Sequence, residues 1–179
     1  MKIMVITAHP DLTASRVNRA FARKASEVPG VYVRDLYREY PEWSIDVEKE
    51  QHLLTQHDRI VYQFPLYWYS SPPLLKKWFD DVFTYGWAFG TNGVHLAEKE
   101  FMVATTVGGT ENQYRSGGSN WHTLSEFMKP IQSTVLKCSG VFLPIFGAFH
   151  LSDASEEELQ AEADRYVKHI VSPRDVLAD

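Results

Sequence analysis

An α/β fold built on a parallel sheet is expected from three features of the chain. Short apolar runs alternate with amphipathic segments, the order that a doubly wound sheet with helices on both faces requires. Runs such as Ile3 to Ala8 and Arg59 to Phe64 are close to continuously apolar, as strands buried on both faces must be. Pro144 falls inside the fifth run, where a missing N–H is tolerated only at a sheet edge. The strand order 2-1-3-4-5 places the fifth strand at such an edge.

Each element has a local reason. Ile3 to Ala8 reads as the first strand and stops at His9-Pro10. Ser15 caps a helix that turns Val17, Phe21 and Ala25 inward and ends at Pro29-Gly30. Val31 to Leu36 is the second strand, Tyr37 to Trp43 is irregular, and Asp46 to Gln56 is a short helix. Arg59 to Phe64 forms the third strand, halted by Pro65. Pro72-Pro73 opens a helix with Leu75, Trp78, Phe79, Val82 and Phe83 at helical spacing. A glycine-bounded segment, Gly86 to Gly93, precedes the fourth strand, Phe101 to Val107. A helix from about Asn120 to Cys138 contains Pro130, the fifth strand runs from Val141 to Phe146, and a last helix spans about Ser155 to Val171.

The 179 residues suffice for one domain, residues 1–179, with a full core. A formal charge of −5 with acidic and basic residues interspersed argues against a nucleic-acid surface. The single cysteine, Cys138, excludes an internal disulfide and reads as inert packing in a reducing compartment. The N-terminal apolar run is too short for a signal peptide or a membrane span, so a cytoplasmic location is expected. The seven histidines are scattered without ligand spacing, and no metal site is expected. Aromatic residues reach 13%, and adjacent ones such as Tyr67-Trp68-Tyr69 cannot all face one core from a strand.

Loops after successive parallel strands converge at the carboxyl ends of the sheet. The loop after the first strand meets a helix N-terminus, where unpaired N–H groups favour an anion, and His9, Ser15 and Asn18 add donors. It lacks both the dinucleotide fingerprint and the P-loop pattern, and taken alone it is a plain helix cap beside a surface histidine. Pro65-Leu66-Tyr67-Trp68-Tyr69 offers one wall and the rim of a slot for a planar ring, or else a lid over the core. Thr106-Val107-Gly108-Gly109 lets backbone approach a ligand closely, and Tyr114 follows with a hydroxyl donor.

These residues resemble the flavin-dependent NAD(P)H:quinone oxidoreductase family. The matching segments are Ala8-His9-Pro10, Phe64 to Tyr69, Pro72 to Trp78, Gly86 to Gly90 and the Gly108-Gly109 turn. The likeness is strongest to the short bacterial branch, which includes ancillary subunits of glutathione-gated potassium efflux systems and stress-associated reductases. It implies a flavodoxin-like three-layer sandwich with a five-stranded sheet, and a bound flavin, FMN or alternatively FAD, with NADH or NADPH as donor. By position, His9, Ser15, Arg16, Val17 and Asn18 would contact the ribityl-phosphate. Leu66, Tyr67, Trp68 and Tyr69, after Pro65, would hold one face and edge of the ring, and Thr106, Val107, Gly108 and Gly109 its pyrimidine side. Tyr114 matches the active-site tyrosine of the family. Longer members carry a histidine six residues after it, where this chain has Asn120, and His122 is the candidate to stand in. Trp87 and Phe89 match a segment that closes the opposite subunit's pocket, so a homodimer is implied. The implied activity is ping-pong transfer of two electrons from NAD(P)H to a quinone or a similar flat electrophile.

Two rival functions remain open at this level. One is a flavin-binding ancillary subunit docked on the cytoplasmic side of a potassium efflux transporter. The other is a one-electron carrier, for which mixed surface charge is a poor match. A protein-interaction patch would account for the aromatic loop but not for the other two loops.

Overall fold

The computed structural model describes residues 1–178, with Ala178 described through its backbone only. Its sheet has the order β2-β1-β3-β4-β5 and is parallel throughout. The strands are β1 (Ile3–Thr7), β2 (Val31–Asp35), β3 (Arg59–Pro65), β4 (Glu100–Val107), β5 (Val141–Phe142) and β6 (Phe146–Phe149). The helices are α1 (Arg16–Ser26), α2 (Leu36–Glu39), α3 (Val47–Thr55), α4 (Pro73–Val82), α5 (Leu124–Phe127), α6 (Lys129–Lys137), α7 (Glu156–Val171) and α8 (Arg174–Ala178).

Alternation along the strands divides the core in two. Met4 and Ile6 of β1, with Ile60, Tyr62 and Phe64 of β3, pack against Leu54, Leu75, Trp78, Phe79 and Val135. Ile3, Val5 and Val61 point the other way, toward Phe21 and Ala25 of α1 and Leu159, Ala163, Tyr166 and Ile170 of α7. The three-layer arrangement and strand order are as expected. No helix among the described residues is long and apolar enough to cross a membrane, and none of their His, Cys, Asp and Glu side chains group as a metal site.

Several boundaries differ from the sequence reading, each for a local reason. The fifth run is two segments, because the chain leaves β4 after Leu143, whose N–H still donates to the Phe101 carbonyl at 2.8 Å, and β6 re-pairs with β4 from Ala104↔Phe146 to Val107↔Phe149. Pro144 therefore sits in the gap, with no ladder N–H to supply. β3 includes Pro65 instead of stopping before it. Pro65 is the last residue of the strand, opposite Thr106, and the chain stays in register because Leu66 N–H donates to the Thr106 carbonyl at 2.9 Å. The segment expected as one helix from Asn120 to Cys138 begins at Thr123, whose hydroxyl and the Glu126 side chain form a capping box. It then breaks at Met128, and Pro130 takes the opening turn of α6, where its missing N–H costs nothing. Leu36 leaves β2 to start α2, since the Asp35 carboxylate accepts from Arg38 N–H at 3.2 Å. The α8 turn had no expectation.

Two buried arginines tie helices to the sheet. Arg59 donates to Glu100 Oε2 at 2.8 Å and to the Ile170 and Ser172 carbonyls at 2.7 Å each, which satisfies the C-terminus of α7. Glu50 of α3 is fully buried and accepts from Arg34 Nε at 2.9 Å, the Tyr40 hydroxyl at 2.6 Å and Trp78 Nε1 at 3.0 Å. One carboxylate thus joins β2, the end of α2, α3 and α4. Burial opposes the charge on Arg34, and the Glu50 hydrogen bonds and charge outweigh it. Removing one member of a buried pair leaves the other uncompensated. Glu50→Gln is therefore expected to lower unfolding free energy by about 3 kcal/mol in urea titrations. A loss below about 1 kcal/mol would show that the network tolerates a neutral partner.

Candidate functional site

The carboxyl ends of β1, β3, β4 and β6 enclose a cleft of about 520 Å³. His9, Ser15, Arg16, Val17, Asn18, Pro65, Leu66, Tyr67, Thr106, Val107 and Gly108 line it, drawn from all three loops singled out in the sequence. That volume lies within the range of about 300 to 1,000 Å³ typical of small-molecule sites.

At one end stands the N-terminus of α1. Ser15 Oγ accepts the Asn18 N–H at 3.3 Å, so its own proton is free to be donated. The N–H groups of Arg16 and Val17, in the first turn, have no intrahelical partner. That turn holds no acidic residue, whereas the first turn of α7 holds Glu156, Glu157 and Glu158. One helix end is thus filled by its own carboxylates and the other is left open to an outside anion. The Arg16 guanidinium lies 3.4 Å from the Ser152 carbonyl and 3.5 Å from Glu156, which carries it toward the loop before α7. His9 Nδ1 accepts the Asp11 N–H at 3.0 Å, placing the ring proton on Nε2 as a further donor. Burial lowers the His9 pKa, with Asp11 and Asp35 offsetting part of the effect.

The floor is polar and buried. Asn18 Nδ2 donates to Thr106 Oγ1 at 2.9 Å, and Gln63 Nε2 donates to the Asn18 carbonyl at 2.9 Å. Gln63 Oε1 in turn accepts the Tyr166 hydroxyl at 2.9 Å. On the wall of β4, a Cβ added to Gly108 would meet nothing within 4 Å. The same atom on Gly109 would lie 2.4 Å from Gln113 Oε1 and 3.0 Å from the Tyr114 ring. Gly108 faces open space, and Gly109 makes room for Tyr114.

The aromatic loop is a two-residue hairpin turn. Tyr67 and Ser70 exchange both backbone hydrogen bonds at 2.9 Å, and Trp68 and Tyr69 between them have φ of 47° and 65°. Positive φ at both central positions is the type I′ geometry, here without the usual Asn-Gly. Tyr67 turns its ring toward His9, with centroids 6.4 Å apart, while Trp68 is 93% exposed. Tyr69 stacks on Phe127 at 4.9 Å.

The remaining expected residues lie outside the lining of this cleft. Tyr114 packs against Phe127 and Phe149, each at 6.0 Å. Burial raises its pKa, as does Tyr69, and the Asn120 side chain acts in the opposite sense. His122 sets its ring edge on Phe127 at 5.6 Å, with Nδ1 3.9 Å from Glu126. Trp87 stacks on His95 at 5.3 Å, and Phe89 lies on a separate groove of about 620 Å³ between α4 and α6, with Cys138 buried beside it. Ala148 in β6, and Leu151 and Ser152 after it, line the cleft and were missed. Their signal was the apolar stretch Phe146 to Phe149, which extends the fifth run past its expected end.

Residues 1–170 match the model of a family described as Flavodoxin-like fold. The uncharacterized NAD(P)H oxidoreductase YdeQ of Bacillus subtilis is 46% identical over 96% of this chain and 87% of its own length. The glutathione-regulated potassium-efflux system ancillary protein KefF of Klebsiella aerogenes is 38% identical over 94% of each. Among solved structures, general stress protein 14 of Treponema denticola in complex with FMN superposes with a TM-score of 0.91 at 35% identity, covering 99% of both chains. An NADPH-quinone reductase from P. pentosaceus gives 0.86 at 30% identity, over 97% of this chain and 99% of that one. A protein described as a thermophilic tryptophan halogenase from Streptomycin violaceusniger gives 0.93 at 50% identity, over 95% and 99%.

The two glycines separate binding from folding. Gly108→Val is expected to fold normally and to weaken binding of flavin mononucleotide at least tenfold by filling the cleft, read by flavin fluorescence quenching. Gly109→Ala is expected to lower thermal stability through its clash with Gln113 and Tyr114. Unchanged affinity in Gly108→Val would remove that wall from the site.

Proposed function

The chain belongs to the flavodoxin-like fold family, and from that membership we propose an NAD(P)H:quinone oxidoreductase that uses bound flavin mononucleotide. The observation that carries the reading is the convergence of three loops on one cleft whose end is a helix N-terminus with no acidic residue in its first turn.

The residues fit that group. The phosphate would lie on the first-turn N–H groups of α1, with Ser15, His9 and Arg16 as side-chain donors, and Asn18 beneath them. Leu66 and Tyr67 would flank the ring, and Thr106 to Gly108 would approach its other side, where the lack of a Cβ at Gly108 leaves room. When bound, the flavin supplies the redox chemistry, taking a hydride from NADH or NADPH and passing two electrons to a quinone. The protein binds, orients and excludes water. Backbone N–H groups after β4 would stabilise negative charge, with the Tyr114 hydroxyl as a further donor.

A homodimer in the cytoplasm completes the proposal. Trp68 at 93% and Trp121 at 83% exposure, with Tyr85 at 69%, leave aromatic surface that a second copy would cover. Trp87, Phe89 and His122 keep their proposed places at the substrate pocket and in catalysis on resemblance alone. The likeness to KefF favours a second reading, in which the same flavin-binding chain serves a potassium efflux transporter as an ancillary subunit.

Purified protein reconstituted with flavin mononucleotide is expected to hold one flavin per chain, to oxidise NADH or NADPH with benzoquinone, and to elute at twice the chain mass. Absence of both flavin retention and turnover would overturn the assignment. Arg16→Glu, which sets a carboxylate in the open first turn, should reduce flavin affinity at least tenfold at low salt and leave folding intact.

A further inference from the structure

The loop from Tyr114 to Trp121 folds back on itself. Asn120 N–H donates to the Gln113 carbonyl at 3.1 Å, and Gly118 N–H donates to Arg115 at 2.9 Å. Gly118 is required at the crossing, since a Cβ there would lie 2.5 Å from the Asn112 carbonyl oxygen. The fold-back brings Asn120 alongside Tyr114. Phe127 meanwhile gathers two phenol rings, Tyr69 stacked at 4.9 Å and Tyr114 edge-on at 6.0 Å. The Tyr69 hydroxyl donates to Asn120 Oδ1 at 3.5 Å. That is long for a hydroxyl donor, as hydrogen bonds in ligand-free catalytic sites often are.

We propose that Asn120 is a positioning residue that orients the hydroxyls of Tyr69 and Tyr114 toward the bound acceptor. This rests on the quinone-reductase reading above. An amide carries an acceptor and a donor on one planar group. Its Oδ1 accepts the hydrogen bond from the Tyr69 hydroxyl, which leaves its Nδ2 to donate to the Tyr114 oxygen. Occupying that oxygen leaves the Tyr114 O–H free to donate into the slot, where it hydrogen-bonds a carbonyl oxygen of the acceptor without surrendering its proton. The sense in which Asn120 acts on Tyr114 agrees, because a donor to the phenol oxygen favours its ionised form. An amide does not titrate in the working range, so this orientation holds across neutral pH. The titratable His122 shares the Phe127 ring at 5.6 Å and its backbone N–H donates to the Asn120 carbonyl at 2.8 Å, while its Nδ1 is turned to Glu126 at 3.9 Å.

The test compares Asn120→Asp and Asn120→Leu with the parent. In flavin-free protein labelled with 13Cζ-tyrosine, with Tyr114 assigned through Tyr114→Phe, both variants should raise the Tyr114 titration midpoint. In the FMN-loaded protein with NADH and benzoquinone, Asn120→Leu should lose about tenfold in kcat/KM at every pH, through kcat more than KM. Asn120→Asp has the same shape, but its ionised carboxylate only accepts hydrogen bonds. Its activity should approach the parent's at low pH, where the acid still donates, and fall as pH rises through the carboxyl titration. The parent should lack that limb. Parent-like kcat/KM at pH 7.5 in both variants, or an unmoved Tyr114 midpoint, would overturn the proposal while leaving the reductase reading intact. A parent that binds flavin mononucleotide but does not turn over would overturn both. Should Asn120→Leu fail to fold, the near-isosteric Asn120→Asp decides alone.

Discussion

Asn18 is the joint on which the cleft depends. It is almost fully buried and uses its N–H, its carbonyl and its side-chain amide on different partners. Ser15 takes the first, Gln63 the second and Thr106 the third, and Tyr166 of α7 completes the chain through Gln63. A helix held to a sheet by apolar contact alone can slide by fractions of a turn. Directional hydrogen bonds buried from water cannot be exchanged cheaply, because each unpaired group costs its full desolvation. The relay therefore sets where the first turn of α1 stands over the ends of β3 and β4.

Electrostatic design at the two ends of the sheet differs in kind. At the amino end, Arg59 is spent on Glu100 and on two carbonyls at the C-terminus of α7, so its charge is matched within the fold. At the carboxyl end, α1 begins without an acidic residue and Arg16 reaches only weakly to Glu156 across exposed surface. Surface pairs of that kind contribute between about zero and 1 kcal/mol, so Arg16 is readily redirected to a better anion. α7, by contrast, starts with a Ser155–Glu158 capping box and carries Glu156 and Glu157 in the same turn, so its own carboxylates answer its N-terminus.

Strand order and the cleft lining were legible because burial on both faces writes continuous apolar runs, and because loops after such runs must meet. Where reading failed, the deciding contacts were non-local or cancelled within a short window. Val141 to Phe149 has the look of one strand, and only pairing with β4 reveals that Pro144 interrupts it. Leu151 and Ser152 were lost with that boundary. The helical period continues through Met128, so the break before α6 is set by Pro130 and the capping box at Thr123 rather than by hydrophobic spacing. Asn120 drew notice only as a departure from a pattern. Its approach to two tyrosines depends on a loop crossing at Gly118 that spacing does not encode.

Trp68 and Tyr69 pose the remaining question of why a tight turn carries two bulky rings instead of glycine. Left-handed backbone at such residues costs about 1 to 3 kcal/mol each. The exposed indole of Trp68 gains nothing from burial to offset that cost, since its apolar surface stays in water. Tyr69 recovers part of its cost by stacking on Phe127, but Trp68 is 93% exposed and the turn is closed by backbone bonds that Asn-Gly would make equally well. A sequence retains such a turn when the rings themselves are used. The compensation must then come from whatever covers them, and the turn follows β3 directly, its first ring already lining the cleft through Tyr67. A flat ligand against the inner side and a second copy over the outer side would bury both faces of the turn. The local strain thus carries the same information as the cleft geometry, arrived at from backbone energetics instead of shape.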